Sequence, residues 1–278
     1  MPAGPYGAPG LGFSSARPTR FGPSTDGRSG SWGGAATFAA AAGMMSRVLR
    51  DDLLRSQQVQ WDLIRAYMAS YAERQPLSSV AVVGNAPLEP DAARAEAIDK
   101  CDLVIRANAM MLDAAAGPRC VGTACHVVIL SRSTAITPWV FQNYRRRAYL
   151  VPQAGFVQYH LENRVGLLLD APFWPEDLGA MPLPNSVVKT RVARALDPLH
   201  RPGSLIPTTG MMAMFMAHEM FPDADLLVTG FSFLDDSEQT HWSHHSGGRT
   251  KVNWQHRLDL EAALLRSWID DGSAHYLP

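Results

Sequence analysis

The sequence predicts an α/β fold with a mainly parallel sheet flanked by helices. Three observations carry that expectation. Short continuous apolar runs, such as residues 80–83 and 226–228, break off at a glycine or a polar residue, as strands buried on both faces do. Longer stretches between them place apolar residues at three- and four-residue steps, the helical period. The two kinds alternate along the chain, and that alternation builds parallel sheets.

Residues 1–43 hold ten of the 22 glycines and no lysine. Such a stretch buries too little apolar surface to offset its ordering entropy. It reads as a disordered Gly/Pro/Ala-rich tail before a single domain over 44–278, with Met44 or Met45 an alternative start. A helix is expected over 45–73, where Val48, Leu49, Leu53, Leu54, Val59, Leu63, Ile64 and Met68 recur at helical spacing. Gln75 and Pro76 stop it. Residues 78–85 form a buried strand that runs into a turn at Gly84. A helix over 91–98 and strands over 102–106, 126–130 and 148–152 follow. Helices over 186–196 and 209–220, a strand over 225–230 and a last helix over 256–269 complete the pattern. No internal repeat is visible.

The chain has 278 residues, 46% hydrophobic and 18% charged, an ordinary globular balance. With 25 Lys and Arg against 26 Asp and Glu, there is no electrostatic footprint for nucleic acid. Cys101, Cys120 and Cys125 are odd in number and contain no CxxC pair. They suggest neither a disulfide framework nor zinc, but small thiols in a reducing compartment. No run of 18 apolar residues is present to span a membrane, and the start lacks the pattern of a secretory signal.

Two places look made for a ligand. Gly84 and Asn85 end a strand, and in a doubly wound sheet ligands bind at carboxyl ends. Glycine lets the backbone come close, and asparagine offers both donor and acceptor. No GxGxxG follows, so a dinucleotide fingerprint is missing. At the second place, Thr208, Thr209 and Gly210 open an apolar helix. Hydroxyl side chains cap helices well, and a helix start is a seat for anions. Gly210 would leave room for a phosphate or sugar. On these residues alone, a plain strand-to-helix turn and an ordinary cap are the readings to prefer at the two places. The methionines at 211, 212, 214 and 216 read as core.

Five of the nine histidines fall late, among them His241, His244, His245 and His256. Histidine titrates near neutrality and can take or give a proton. His241, His244 and His245 with Asp235 and Asp236 also have the composition of a metal loop, although most such loops are merely solvated. Asp235 and Asp236 leave open a metal-dependent sugar transferase.

Taken together, these segments resemble the sialyl motifs of the eukaryotic-type sialyltransferases, glycosyltransferase family 29. Residues 80–108 read VAVVGNAPLEP…AIDKCDLVIRAN and resemble the long motif, matching at Gly84, Asn85, Leu88, Ile98, Asp99, Asp102, Val104, Arg106 and Asn108. Gly122 and Thr123 resemble a Gly-x-x-Thr just downstream. The run PTTGMMAMFMAHEMFPDADLLVTGF resembles the short motif, with Thr208, Thr209, Gly210, Gly230 and Phe231 in its characteristic places. His241 and Trp242 resemble the third motif, and His256 with Glu261 the very short motif His-x4-Glu. The resemblance covers residues 80–261.

The resemblance implies a Rossmann-like GT-A variant and an inverting, metal-independent transfer. A CMP-activated acidic sugar, sialic acid or a Kdo-like relative, would move to a glycan or glycolipid hydroxyl with no cofactor. It further implies that Asn85, Asn108, Thr208, Thr209 and Gly210 hold the donor beside Gly84. His256 would be the general base and His241 a hydrogen-bond partner of the leaving phosphate. Arg106, Gly230, Phe231, Trp242 and Glu261 would support the site. The chain departs from the family in lacking the cysteines that pair its long and short motifs. Ser79 and Val80 stand near one of those positions, and no cysteine lies in 207–233. That suits a bacterial, cytoplasmic enzyme, or one peripheral at the inner membrane face. A non-catalytic CMP-binding protein and a Rossmann-type oxidoreductase are the alternatives.

Overall fold

The first helix, α1 (Gly34–Ala69), begins before the Met45 that apolar spacing picked out. Its early part lies in an alanine-rich stretch, and alanine is the strongest helix former. A computed structural model describes residues 34–131, 136–152, 175, 177–201 and 203–278. Residues 1–33 of the expected tail lie outside them. The chain divides into two units, Met1–Leu49 and Arg50–Pro278. The described part of the first is the opening of α1, and all that follows concerns the second. Of the apolar residues that marked α1 in this unit, Ile64 and Met68 are buried along with Trp61, whereas Leu53, Leu54, Val59 and Leu63 stand exposed.

The fold is α/β, with a parallel sheet at its centre. Its strands are β1 (Ser79–Val83), β2 (Leu103–Ala107), β3 (Val127–Ile129), β4 (Ala148–Pro152), β5 (Ala180–Leu183) and β6 (Asp225–Thr229). A hairpin follows, β7 (His241–Ser243) with β8 (Arg249–Lys251), and β9 (His275–Tyr276) closes the chain. The seven sheet strands lie in the order β5-β4-β3-β2-β1-β6-β9, and every neighbouring pair is parallel. β5, β9 and the hairpin carry no strong apolar run, and sequence reading passed over them. The helices beside the sheet are α2 (Ala92–Lys100), α3 (Lys189–Leu196), α4 (Thr209–Met220) and α5 (Leu258–Asp270). α3 starts later than the expected 186, and α5 later than 256.

The unbroken apolar runs have a direct cause. Along β1, Val80 and Val82 enter the core that holds Met211, Met214, Leu258 and Leu265, while Ala81 and Val83 enter a separate cluster with Ile98, Val104 and Val121. Both faces are covered, so no polar alternation is needed. α4 is apolar nearly all round because it is buried nearly all round, Met211, Met212, Met214 and Met216 included.

Buried polar residues lock the strand ends. The Asp102 carboxylate accepts hydrogen bonds from Ser78 N (2.9 Å) and Ser79 N (3.0 Å), and Arg74 Nε donates to it at 2.6 Å. Burial works to raise its pKa, but these hydrogen bonds prevail and hold it well below the usual carboxylate range. Arg106, almost fully buried, donates to the carbonyls of Ala124, Met111 and Val121. Asp99 accepts from Thr123 N and Ala124 N at 2.7 and 2.8 Å. Asp102 thus braces the entry to β1, and Arg106 and Asp99 the turns beyond β2.

Candidate active site

All the strand tips that matter point the same way, because the sheet is parallel. From β1 the chain adds β2, β3, β4 and β5 on one side, then crosses to place β6 on the other. The order reverses between β1 and β6, and such a switch point opens a crevice at the carboxyl ends. A cavity of about 550 Å³ lies there, within the range of small-molecule sites.

Its floor is set by two glycines. A Cβ on Gly84 would meet Gly230 O at 2.1 Å, and Gly230 itself has φ +76°. Gly84 N donates to Thr229 O, and Ala86 N to Gly230 O. The two strand tips close on each other only because neither carries a side chain. Asn85 follows, its Nδ2 donating to Ala107 O at 2.7 Å. Asn108 ends β2 in the left-handed region at φ 53°, a conformation asparagine tolerates. Its Oδ1 accepts from Ser131 N at 2.8 Å. Both asparagines line the cavity.

The opposite wall is the start of α4. Thr208 is its N-cap, and Oγ1 accepts from Met211 N at 3.0 Å. The same hydroxyl donates to Glu261 Oε2 at 2.6 Å, while Thr208 N donates to Glu261 Oε1 at 2.8 Å. The Thr208 side chain is therefore engaged on both sides, capping α4 and holding Glu261. Thr209 and Gly210 follow it into the cavity wall, and first-turn N–H groups have no acceptor within the helix. The reason for glycine at 210 also differs from expectation. A Cβ there would meet the Phe231 ring at 2.7 Å, so Gly210 accommodates an aromatic packing partner.

His256 stands just before α5, outside the helix, so helical spacing does not relate it to Glu261. Its Nδ1 lies 2.6 Å from Ile206 O. A carbonyl can only accept, so Nδ1 carries the proton and Nε2 keeps its lone pair. Burial lowers the pKa of the ring, against the upward pull of that hydrogen bond. A neutral imidazole with a basic Nε2 is the form a general base requires.

No protein-family model matches the sequence, and no curated relative does. Among solved structures, the chain is similar to a mammalian sialyltransferase at 13% identity, and to a mammalian sialyltransferase in complex with Gal-beta-1-3GalNAc-ortho-nitrophenol at 14%. Each likeness has a TM-score of 0.47 and covers 72% of this chain and 69% of the other. At that score neither likeness carries weight here, and the functional argument rests on the cavity.

Of the residues picked from sequence, Gly84, Asn85, Asn108, Thr208, Thr209, Gly210, Gly230, Phe231, Trp242 and His256 line this one cavity. Arg106 and Glu261 are not in the lining; Arg106 bonds to the carbonyls of Ala124, Met111 and Val121, and Glu261 to Thr208. His241 does not line it. It sits exposed on β7, its Nδ1 3.0 Å from the Thr240 hydroxyl. His244 lines the cavity instead, with Nε2 3.2 Å from Thr250 Oγ1, and burial lowers its pKa. Asp235 and Asp236 are outside the lining, and among the described residues no three His, Cys, Asp or Glu side chains gather as a metal site requires.

Sequence reasoning missed two contributors. His245 fastens the hairpin to the tip of β1, its N–H donating to Asn85 O at 2.7 Å and its Nδ1 accepting from Leu88 N at 3.4 Å. Lys189, the first residue of α3, is buried in the cavity wall. Neither has a local signal, since only the tertiary fold brings it to the strand tips.

Glu261 makes a testable contribution to stability. Burial pushes its pKa from 4.5 up to about 8, against the pull of the two Thr208 hydrogen bonds. The folded state therefore holds a proton that the unfolded state has lost between those values. Stability from this group is full below pH 4.5 and falls as pH rises toward 8. Glu261→Gln should flatten that component of the decline in urea midpoints measured across the window. An unchanged profile would remove the assignment.

Proposed function

We propose that this chain is an inverting glycosyltransferase of sialyltransferase type. It transfers an acidic sugar from its CMP ester to a glycan or glycolipid hydroxyl, with neither metal nor cofactor. One observation carries the reading. Four segments far apart in sequence, each resembling a sialyl motif, converge on one cavity at the switch point of the sheet.

The chemistry follows from the lining. Nε2 of His256 accepts the proton of the acceptor hydroxyl as its oxygen attacks the anomeric carbon. The bond from that carbon to the phosphate oxygen breaks, and CMP departs with the charge. That charge meets the first turn of α4 at Thr209 and Gly210, a fixed dipole that needs no reorganisation. His244, in place of His241, is the second imidazole within reach, and Arg249 and Lys251 supply positive charge from the hairpin. No Asp or Glu lines the cavity among the described residues. A covalent glycosyl-carboxylate intermediate thus has no nucleophile, which favours a single inverting displacement. Three free cysteines suit a reducing, cytoplasmic setting. The basic lone pair of His256 favours catalysis over mere CMP binding.

Calorimetry with CMP tests the reading. The wild-type chain should bind it, and Asn85→Ala should weaken binding about tenfold, the value of one hydrogen bond. A wild-type chain without affinity for CMP overturns the proposal. Equal affinity in the variant removes Asn85 from the site. CMP release from CMP-sialic acid against CMP-Kdo then names the donor.

A further inference from the structure

The turn that carries the proposed base also presents an indole to solvent. Trp254 is 83% exposed, the only exposed tryptophan among the described residues. A single exposed apolar side chain is ordinary on a protein surface, so its place decides what it means. His256 N donates to Asn253 O at 2.9 Å, which makes 253–256 a β-turn with Trp254 at its apex. Asn253 and His256, the two ends of that turn, line the cavity, and Trp254 does not. The indole therefore stands at the rim, beside the base and outside the pocket.

Its mounting is fixed. Ile206 N donates to Gln255 O at 3.0 Å, and Gln255 Nε2 donates to Gly203 O at 2.8 Å. Asn253 Oδ1 accepts from Gln255 N at 3.1 Å, closing the turn from within. A tied backbone presents a two-torsion side chain at small cost in ordering entropy. A β-turn holds its end Cα atoms within about 7 Å, so Trp254 stands about one sugar's length from His256. An acceptor hydroxyl must reach Nε2 of His256. The receiving sugar therefore lies in the cavity mouth, and the next sugar of its chain emerges at the rim. One face of a pyranose ring is lined by C–H groups, and the electron-rich π face of an indole is the surface they pack against. The neighbouring residues suit this ligand over a lipid bilayer. Asn253 and Gln255 are polar, and Val252 N donates to Thr240 O at 2.9 Å, joining the turn to the loop that carries Asp235, Asp236 and Glu238. Those carboxylates would be repelled by the anionic surface of a bilayer.

We propose that Trp254 forms an outer acceptor subsite, its indole stacking on the sugar ring next to the one that receives the transfer. The chain then selects acceptors of two or more sugars over a monosaccharide. This rests on the glycosyltransferase reading above and adds to it a residue that reads the length of the acceptor.

Fluorine NMR on the full chain labelled with fluorotryptophan reads the indole directly, and the Trp254 signal is identified by its loss in Trp254→Phe. The probes, added with saturating CMP, are galactose against lactose, glucose against cellobiose, and N-acetylglucosamine against chitobiose. At least one disaccharide should shift the Trp254 signal and bind about tenfold more tightly than its monosaccharide, the value of one stacking contact. Trp254→Ala should erase that preference and leave monosaccharide and CMP affinities within about twofold of wild type. Trp254→Phe should recover part of the preference, and retained CMP binding shows that both variants are folded. If CMP binds and no disaccharide moves the signal, the subsite is overturned and the nucleotide reading stands. The same holds if Trp254→Ala weakens mono- and disaccharides alike. Leu199 is the other strongly exposed apolar residue of the loops beside the cavity. If sugar affinities stay unchanged while Trp254→Ala and Leu199→Ser both lose binding to vesicles of phosphatidylcholine and phosphatidylglycerol, the indole serves a membrane and the subsite is overturned. If wild type binds no CMP, the nucleotide reading falls and takes the subsite with it.

Discussion

Replacing His256 with alanine should lower turnover by about 10²–10⁴-fold, the range for loss of a positioned general base, while CMP affinity stays near wild type. The expectation comes from one hydrogen bond. Ile206 O fixes the proton on Nδ1 at 2.6 Å, so the neutral ring keeps its lone pair on Nε2 and would need no deprotonation to act as the proposed base. Burial keeps the pKa of the ring below its ordinary 6.5, so the basic form persists below neutrality. The acidic limb of a kcat/KM profile, which reports the free enzyme, should therefore lie below pH 6.5. Single-turnover rates with donor and acceptor, alongside CMP calorimetry, separate chemistry from binding. Turnover within threefold of wild type would remove His256 as the base. A parallel loss of CMP affinity would point to a collapsed site instead.

Much of the fold was legible because burial on both faces leaves a plain mark. Residues 80–83 and 226–228 read as strands of a covered sheet, being short, apolar throughout and rich in valine, since an exposed face would have demanded polar alternation. The edge strands were not legible. β9 has two residues and β5 contains Pro182, too little for any period to register. Within the site, residues next to a strand or helix end were readable, because Gly, Asn and Thr have distinct uses there. The reasons for them were less so. Gly210 answers to the Phe231 ring, and Thr208 to Glu261, and both partners come from other parts of the chain. His241 and His244 show the limit most clearly. They stand three residues apart at one hairpin, and which imidazole faces the cavity depends on the register of β7 against β8 and on how His245 ties the hairpin to Asn85. A one-residue change in register reverses a strand's faces, and the residues themselves do not encode it.

Gly84→Ala should destabilise the protein by about 3 kcal/mol, the upper end for overpacking a rigid site, and should abolish CMP binding at the same time. The added carbon would lie 2.1 Å from Gly230 O and 3.0 Å from the Phe231 ring. The oxygen is backbone, so relief cannot come from a side-chain rotation. It is also committed, accepting from Ala86 N at 3.0 Å. Relief therefore requires β1 and β6 to part at their tips, which are the floor of the cavity. Stability and binding fail together because one contact serves both. Gly117→Ala is the matched control. Its Cβ would find nothing nearer than 4.0 Å, so its melting curve should stay within about 0.5 kcal/mol of wild type. Urea titrations of the two variants decide the matter. A Gly84→Ala protein as stable as the control, and still binding CMP, would mean that the strand tips can part freely, and the switch-point floor would no longer explain why glycine stands there.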